Sequence, residues 1–351
     1  MAEVALKKIG THSGVFHCDE VLACVMLSKY TSEFKDGIIT RTREQEILDQ
    51  QNIIVDVGGI YDPSKHRYDH HQRSFVDTFS SQHNIRLSSA GLVYKHFGQE
   101  IIKNVAQSLI DENKDNLNIE ITLNQETLDS LYQRIYDGFI QGVDGSDNGV
   151  EQYPVEVKSA YSNPTQLQQR IGRLNPLWTE KNTDENVRFR SAMEIADMEL
   201  RWQVKIQLLS VLPAYDIVKQ SVLNRFNVHP SGEIVILETV VPWKSHLEDL
   251  EKSLNLGKQI KFVLFPESSA KKAWRVSTVP ENWGTYDLRI GLKEEWRGIK
   301  DMTELKNVTK IDDIVFVHNS GFIGGAKSYE SVLRMALESI EAHNAKLNNK
   351  Q

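Results

Sequence analysis

The chain has 351 residues, 40% of them hydrophobic and 25% charged, with 41 lysines and arginines against 48 acidic residues for a net charge of −7. These proportions fit a globular chain of about two domains and exclude disorder, collagen and coiled coil as overall descriptions. They also leave no global electrostatic grip on a polyanion, so any contact with nucleic acid must be local.

Apolar stretches as short as Ile234–Leu237 and Ile314–Val317 argue against a membrane partner, because a bilayer-spanning helix needs about 20 such residues. Cys18 and Cys24 are too few for a disulfide-stapled scaffold and suit a reducing, intracellular compartment. Met1–Lys8 has neither the arginine-rich run of a transit peptide nor the apolar core of a secretory signal, so no import address is expected in this chain, and a trimmed longer precursor is the alternative.

In chain order, an apolar stretch Val4–Gly10, a helical pattern at Val21, Leu22, Val25 and Met26, then Ile38–Arg41 and Ile53–Val55 predict strands separated by helices. That alternation predicts an α/β fold with a parallel sheet. Helical periodicity continues from Ser88 to Gly142, through Leu92, Val93, His96 and Phe97 and then Leu128, Leu131, Ile135 and Phe139, with a polar loop at Asp111–Asn118. A further helical stretch spans Val187–Val211. Beyond Pro230 the pattern changes to strands at Glu233–Val240, Ile260–Phe265, Trp274–Val279 and Asp313–His318, and a helix at Ser328–His343 ends the chain. The organisation expected from this order is an α/β domain at 1–185, a helical connector at 186–228 and a smaller strand-containing domain at 229–351.

Six of eleven histidines, His12, His17, His66, His70, His71 and His83, lie in the first quarter of the chain. THSGVFHCDE offers His12, His17 and Asp19 at a strand-to-helix turn, DVGG offers Asp56 at a strand end, YDHH offers Asp69, His70 and His71, and GVDGSDNG offers Asp144 or Asp147. The carboxyl ends of strands are where open α/β sheets bind ligands. Mixed imidazole and carboxylate donors suit Mn2+, Mg2+, Fe2+ or Zn2+, and no CxxC pair points to thiolate zinc. Three histidines and three aspartates exceed one tetrahedral shell but supply two if Asp56 bridges, an arrangement that clamps a transferring phosphate.

Plainer readings apply elsewhere. His96 sits in a helical pattern, and it is set aside with His66, His83, His229, His246 and His343. Cys18 reads as a buried structural thiol. Asp-Asn-Gly at 147–149 is a turn signal, so Asp144 is preferred to Asp147. Gly321, Gly324 and Gly325 follow His318 ahead of a helix and could cradle an anion or merely punctuate a turn. Arg170 and Arg173 fit phosphate clamping or, more commonly, a solvated face. Trp243, Trp274, Trp283 and Trp296 could stack bases but are more often core.

Together THSGVFHCDE, IIVDVGG, YDHHQRSF, GVDGSDNG, RIGRLNPLW, VVPWKSHLEDLE, WRGI and VHNSGFIGGAKS resemble the MYG (melanocyte proliferating gene) family, a branch of the DHH phosphoesterase superfamily, from Ile9 to about Ala336. The resemblance implies a DHH-type parallel-sheet domain, a helical connector and a smaller C-terminal α/β domain, with the active site between them. It further implies a 3′→5′ RNA exonuclease of RNA processing in the nucleus or mitochondrion, with the cytoplasm as the alternative. RNA or a short oligonucleotide would be the partner, and a dimer is as compatible with it as a monomer.

By the same resemblance, His12, His17 and Asp56 hold one divalent cation and Asp19, Asp56, His70 and Asp144 the other, with Mn2+ or Mg2+ favoured. His71 faces the substrate phosphate, Asp69 orients the imidazoles, and His318, Gly321, Gly324 and Gly325 hold substrate. The chain departs from the superfamily in having His17-Cys18-Asp19 for Asp-x-Asp and GGA for GGGH. The rival expectations are hydrolysis of a small phosphoanhydride or dinucleotide, and a non-catalytic RNA-binding protein stabilised by metal.

Overall fold

A computed structural model describes residues 6–349 except Val155, Lys158, Ala160 and Lys271. Val4 and Ala5, the start of the expected first strand, lie outside the described residues. The chain divides into two compact units, Met1–Leu209 and Ser210–Gln351, at a point inside the long helical stretch.

The first unit runs β1 (Lys8–Thr11), α1 (Cys18–Tyr30), β2 (Ile38–Arg41), α2 (Gln45–Leu48), β3 (Ile53–Val55), β4 (Tyr61–Asp62), β5 (Arg67–Tyr68), α3 (Ser89–Asn113), α4 (Gln125–Ile135), α5 (Gln141–Asp147), α6 (Leu167–Gly172) and α7 (Glu185–Ile206). Its sheet has the order β2-β1-β3-β5-β4. β1 pairs in parallel with β2 and β3, and β3 with β5, whereas β4 is an antiparallel edge on β5. The parallel core is the one the strand–helix alternation predicts.

The pattern Val21, Leu22, Val25, Met26 describes only one face of α1. In the structure every residue of α1 except Lys29 is buried, because the helix packs on both α3 and α7. A helix apolar all round is an interior helix. Burying it fixes α1, and with it the turn between β1 and α1 where His12, His17, Asp19 and Glu20 sit.

The second unit runs α8 (Leu212–Leu223), α9 (Arg225–Val228), β6 (Ile234–Ile236), α10 (Lys244–Ser253), β7 (Phe262–Pro266), β8 (Trp274–Thr278), α11 (Met302–Thr309), β9 (Ile314–Val317), β10 (Ile323–Ala326) and α12 (Tyr329–Asn348). The sheet order is β6-β7-β8-β10-β9, parallel only between β6 and β7. Alternate residues feed two cores: Ile234, Phe262 and Leu264 pack with Trp296 and Met335, while Val235 and Val263 pack with Trp243 and Leu247. Trp243 and Trp296 are thus core residues.

Gly324 and Gly325 lie in β10, paired on one side with Val276 and Arg275 of β8 and on the other with Val317 and Phe316 of β9. They occupy ladder positions in a strand flanked on both sides, not an open loop with amides free for an anion. The fit is close: a Cβ at Gly324 would displace the ends of Met335 and Leu292, and one at Gly325 the end of Arg275 while pressing on the Trp274 carbonyl. The strand is short and Gly-rich, so no period-two apolar signal marked it.

A buried ion pair of this unit is Arg289–Glu251, with Nη1–Oε1 at 2.5 Å and Nη2–Oε2 at 2.8 Å, closed by Trp283 Nε1 donating to Glu251 at 3.2 Å. Removing one partner of such a pair strands a buried charge. Glu251→Ala is therefore expected to destabilise the unit by about 3–5 kcal/mol in denaturant unfolding. A loss below about 1 kcal/mol would show that water reaches Arg289.

Candidate metal centre

Four chain segments meet at the carboxyl edge of the parallel sheet in the first unit. Thr11 ends β1 and His12 follows it directly. After a short loop, His17 caps α1, whose first turn presents Asp19 and Glu20. Asp56 follows β3 with φ of 60°, a left-handed conformation uncommon outside glycine but tolerated by aspartate, and Gly58 and Gly59 continue the turn at φ 99° and 69°. Backbone held in such a region at a strand end is a feature of functional sites. Asp69, His70 and His71 follow β5, and Asp147 ends α5.

The donors form three overlapping sets, each with ligand atoms within 4.8 Å of one another: His12, His17, Glu20 and Asp56; Asp56, His70 and His71; and His17, Asp19 and Asp147. Asp56 lies between two imidazoles, with Oδ2 3.3 Å from His12 Nε2 and Oδ1 3.2 Å from His70 Nε2. His12 Nε2 also lies 3.0 Å from Glu20, and His70 Nε2 3.2 Å from Asp147. Asp19 Oδ1, Asp56 Oδ1 and His70 Nε2 are buried without a hydrogen-bond partner of good geometry. Buried polar atoms left unmatched are costly and call for an explanation such as an ion. Three of them converging in one oxygen- and nitrogen-rich cluster fit divalent cations.

Supporting bonds fix the donors. Ser89 donates through its hydroxyl, 2.8 Å, and its amide to Asp19 Oδ2, leaving Oδ1 for the cluster. Asp69 accepts from Gly59 N at 2.6 Å and from His71 N and Nδ1 at 3.0 and 2.7 Å, so it orients His71 from behind.

Asp144, the residue preferred on the sequence, is in none of these sets. Its Oδ1 accepts from Ser88 N, Ser88 Oγ and Gly91 N at 2.9, 2.7 and 3.1 Å, and its Oδ2 from Tyr136 at 3.0 Å. It satisfies the open amides at the start of α3, and a Cβ at Gly91 would fall on its carboxylate. Asp147, three residues on along α5, occupies the cluster instead. The turn reading of Asp-Asn-Gly was correct locally but did not bar Asp147, because the helix runs to that residue before turning.

Glu20 was missed as well. Its signal was the spacing: a carboxylate three residues after the cap residue His17, whose amide it accepts at 2.8 Å. Arg170 is paired with Glu199 at 3.3 Å, and Arg173 donates to the Pro164 carbonyl. His318, in the second unit, bonds Ser320 Oγ at 2.9 Å, and the Gly321 amide is already spent on the His318 carbonyl. Cys18 and Cys24 are buried free thiols, and burial pushes both well up from the usual thiol range.

Electrostatics follow from the four carboxylates of the cluster, Asp19, Glu20, Asp56 and Asp147. Burial lowers His12, but the carboxylates of Asp56 and Glu20 outweigh it and raise the imidazole to about 10. Burial raises Glu20 to about 8. Asp147 is raised too, first by burial and then by the charge of Asp19, while Asp56 resists burial and is held low by His12 and His70. The cluster therefore retains protons at neutral pH.

Residues 8–340 match a family model described as Uncharacterised protein family (UPF0160). A Dictyostelium discoideum protein named MYG1 protein is 42% identical over 334 residues, covering 95% of this chain and 96% of that protein. A Homo sapiens protein named MYG1 exonuclease is 40% identical over 343 residues, covering 96% and 86%. No solved structure matches.

Asp144 and Asp147 have separable consequences. Asp144→Ala leaves buried donors unmatched and should cost about 3 kcal/mol, lowering the melting temperature by roughly 6–12 °C. Asp147→Asn should keep the melting temperature within a few degrees yet weaken Mn2+ binding by about tenfold or more in calorimetry. The reverse pattern would contradict the placement. Proton linkage gives a second check. His12 and Glu20, titrating at about 10 and 8, hold protons at pH 7 that a cation must displace, so Mn2+ uptake should release protons and tighten as pH rises from about 6 to 8. Titrations in two buffers of different ionisation enthalpy measure this, and a zero proton count would contradict it.

Proposed function

We propose, from the premise that the chain belongs to the MYG1_exonuc family, the Uncharacterised protein family (UPF0160), that it hydrolyses phosphodiester bonds of nucleic acid as a 3′→5′ exonuclease on RNA. The family's placement in the DHH phosphoesterase superfamily is part of the same proposal. The observation that carries it is the meeting of four loops around Asp56, with unmatched buried donor atoms directed at one another. The exonuclease name of the human relative supports it.

His12, His17, Glu20 and Asp56 would hold one divalent cation, and Asp56, His70, Asp19 and Asp147 a second, with Mn2+ or Mg2+ the ions that oxygen-rich donors favour. Bound cations at such a centre supply Lewis acidity, a water acidic enough to lose its proton near neutral pH, and charge to match a phosphate. Asp56 would bridge, because both its oxygens face imidazoles of different segments.

His71 is the residue suited to the substrate. Its side chain is 61% exposed, and its Nδ1 is committed to Asp69, which together with the imidazole's neighbours raises its proton affinity. The opposite nitrogen of a protonated His71 would donate to a nonbridging phosphate oxygen and offset charge that grows there in the transition state. Asp69 is its positioning residue. His318 in the second unit is kept as a contact for nucleic acid.

Asp56→Asn retains shape but loses the charge that bridges. It should reduce degradation of end-labelled RNA in Mn2+ by roughly 10³-fold or more while circular dichroism and melting stay close to wild type. Wild-type turnover by this variant would overturn the assignment. Parallel reactions on DNA, pyrophosphate and dinucleotides fix the substrate: hydrolysis of pyrophosphate alone would overturn the nuclease reading, and exclusive cleavage from the 5′ end would overturn the polarity.

A further inference from the structure

Arg41 and Arg43 flank Thr42 at the end of β2 and lie in different surroundings. The guanidinium of Arg41 is drawn inward, 5.4 and 4.8 Å from the ring centres of Phe16 and Phe189, donating to the Gly14 carbonyl at 2.5 Å and lying 3.7 Å from Glu185. Such an arginine is a structural strut of the β1–α1 loop. Arg43 is exposed. Its Nε donates to the Ser13 carbonyl at 3.2 Å, and one terminal nitrogen lies 3.2 Å from His12 Nδ1. Among the described residues no carboxylate lies within 4.0 Å of it, although the acidic cluster begins just beyond His12.

A lone arginine at the mouth of an acidic cluster, tethered to a backbone carbonyl and left without an acidic partner, is a group with binding capacity in reserve. The tether makes the point sharper. His12 Nε2 is the nitrogen that faces Asp56 and Glu20. An imidazole holding a cation through one nitrogen carries its proton on the other. His12 Nδ1, protonated both in the imidazolium and in an imidazole holding a cation through Nε2, donates to the Ser13 carbonyl 3.2 Å away and offers Arg43 no lone pair. The terminal nitrogens of Arg43 would be left without a protein acceptor while Nε still anchors the side chain to Ser13. A planar fork of N–H donors fixed in that way fits two oxygens of one phosphate group.

We propose that Arg43 binds a phosphate group of the substrate at the rim of the centre, a role that rests on the phosphodiesterase reading above. It complements His71 by supplying a cation from the β2 side of the cluster. Arg41, two residues earlier, holds the loop and does not touch substrate.

The test uses the full chain with Mn2+ and three probes: 5′-AMP, inorganic phosphate, and adenosine as the probe lacking phosphate. Arg43→Ala should weaken 5′-AMP and inorganic phosphate by about tenfold or more, the scale of a charge-assisted hydrogen bond, and leave adenosine unchanged. Arg43→Lys should recover part of the loss, since it keeps the charge without the fork. Mn2+ affinity and melting temperature should stay within about twofold and a few degrees of wild type in both variants. Unchanged 5′-AMP affinity in Arg43→Ala would overturn the assignment. Loss of Mn2+ binding in that variant would also overturn it, because it would make Arg43 a positioning residue for His12. A wild-type chain that takes up no divalent cation would instead overturn the phosphodiesterase reading, and that result is seen before any variant is made.

Discussion

Asp19, Glu20, Asp56 and Asp147 meet in one cluster with four imidazoles, Asp69 stands behind His71, and most of these carboxylates are buried. Taking several like charges out of water together is unfavourable by several kcal/mol per ion unless something of opposite sign is supplied. Protonated histidines and retained carboxyl protons supply part of it. Divalent cations would supply the rest, and would do so while turning the same groups into ligands. The first unit of the fold is arranged around that constraint.

The arrangement explains otherwise separate features. Asp56 adopts a left-handed backbone because both of its oxygens must turn back toward segments on either side of β3. Gly59 follows with a positive φ so that its amide can reach Asp69, and Asp69 in turn holds His71. Asp144 and Ser89 secure the start of α3 and the orientation of Asp19. α1 is interior on every side, which makes the turn bearing His17, Asp19 and Glu20 rigid instead of mobile. Precision in a site comes from such supporting contacts.

The amino-terminal architecture was legible because parallel strands and their crossover helices leave strong periodic signals, and because the polar residues that depart from those signals fall at strand ends. His12, His17, Asp19, Asp56, His70 and His71 stand out for that reason. Asp147 and Glu20 were less legible since each has an adequate local reason to be where it is, a turn in one case and a helix cap in the other. Only the crossing of α5 and α1 at the cluster reveals the second role. In the second unit β10 was not legible because glycines carry no apolar pattern, and the short α10 and α11 lie among segments whose dominant pattern is that of strands. The Arg289–Glu251 pair had no signal at all: 38 residues separate partners that only the folded sheet brings together.

The most direct test of the central claim is anomalous diffraction from crystals grown with Mn2+. The account predicts two peaks roughly 3.5–4 Å apart with Asp56 between them, one beside His12, His17 and Glu20 and the other beside His70, Asp19 and Asp147. Crystals soaked to saturation that show no manganese at Asp56, or show it at a site lacking these side chains, would contradict it.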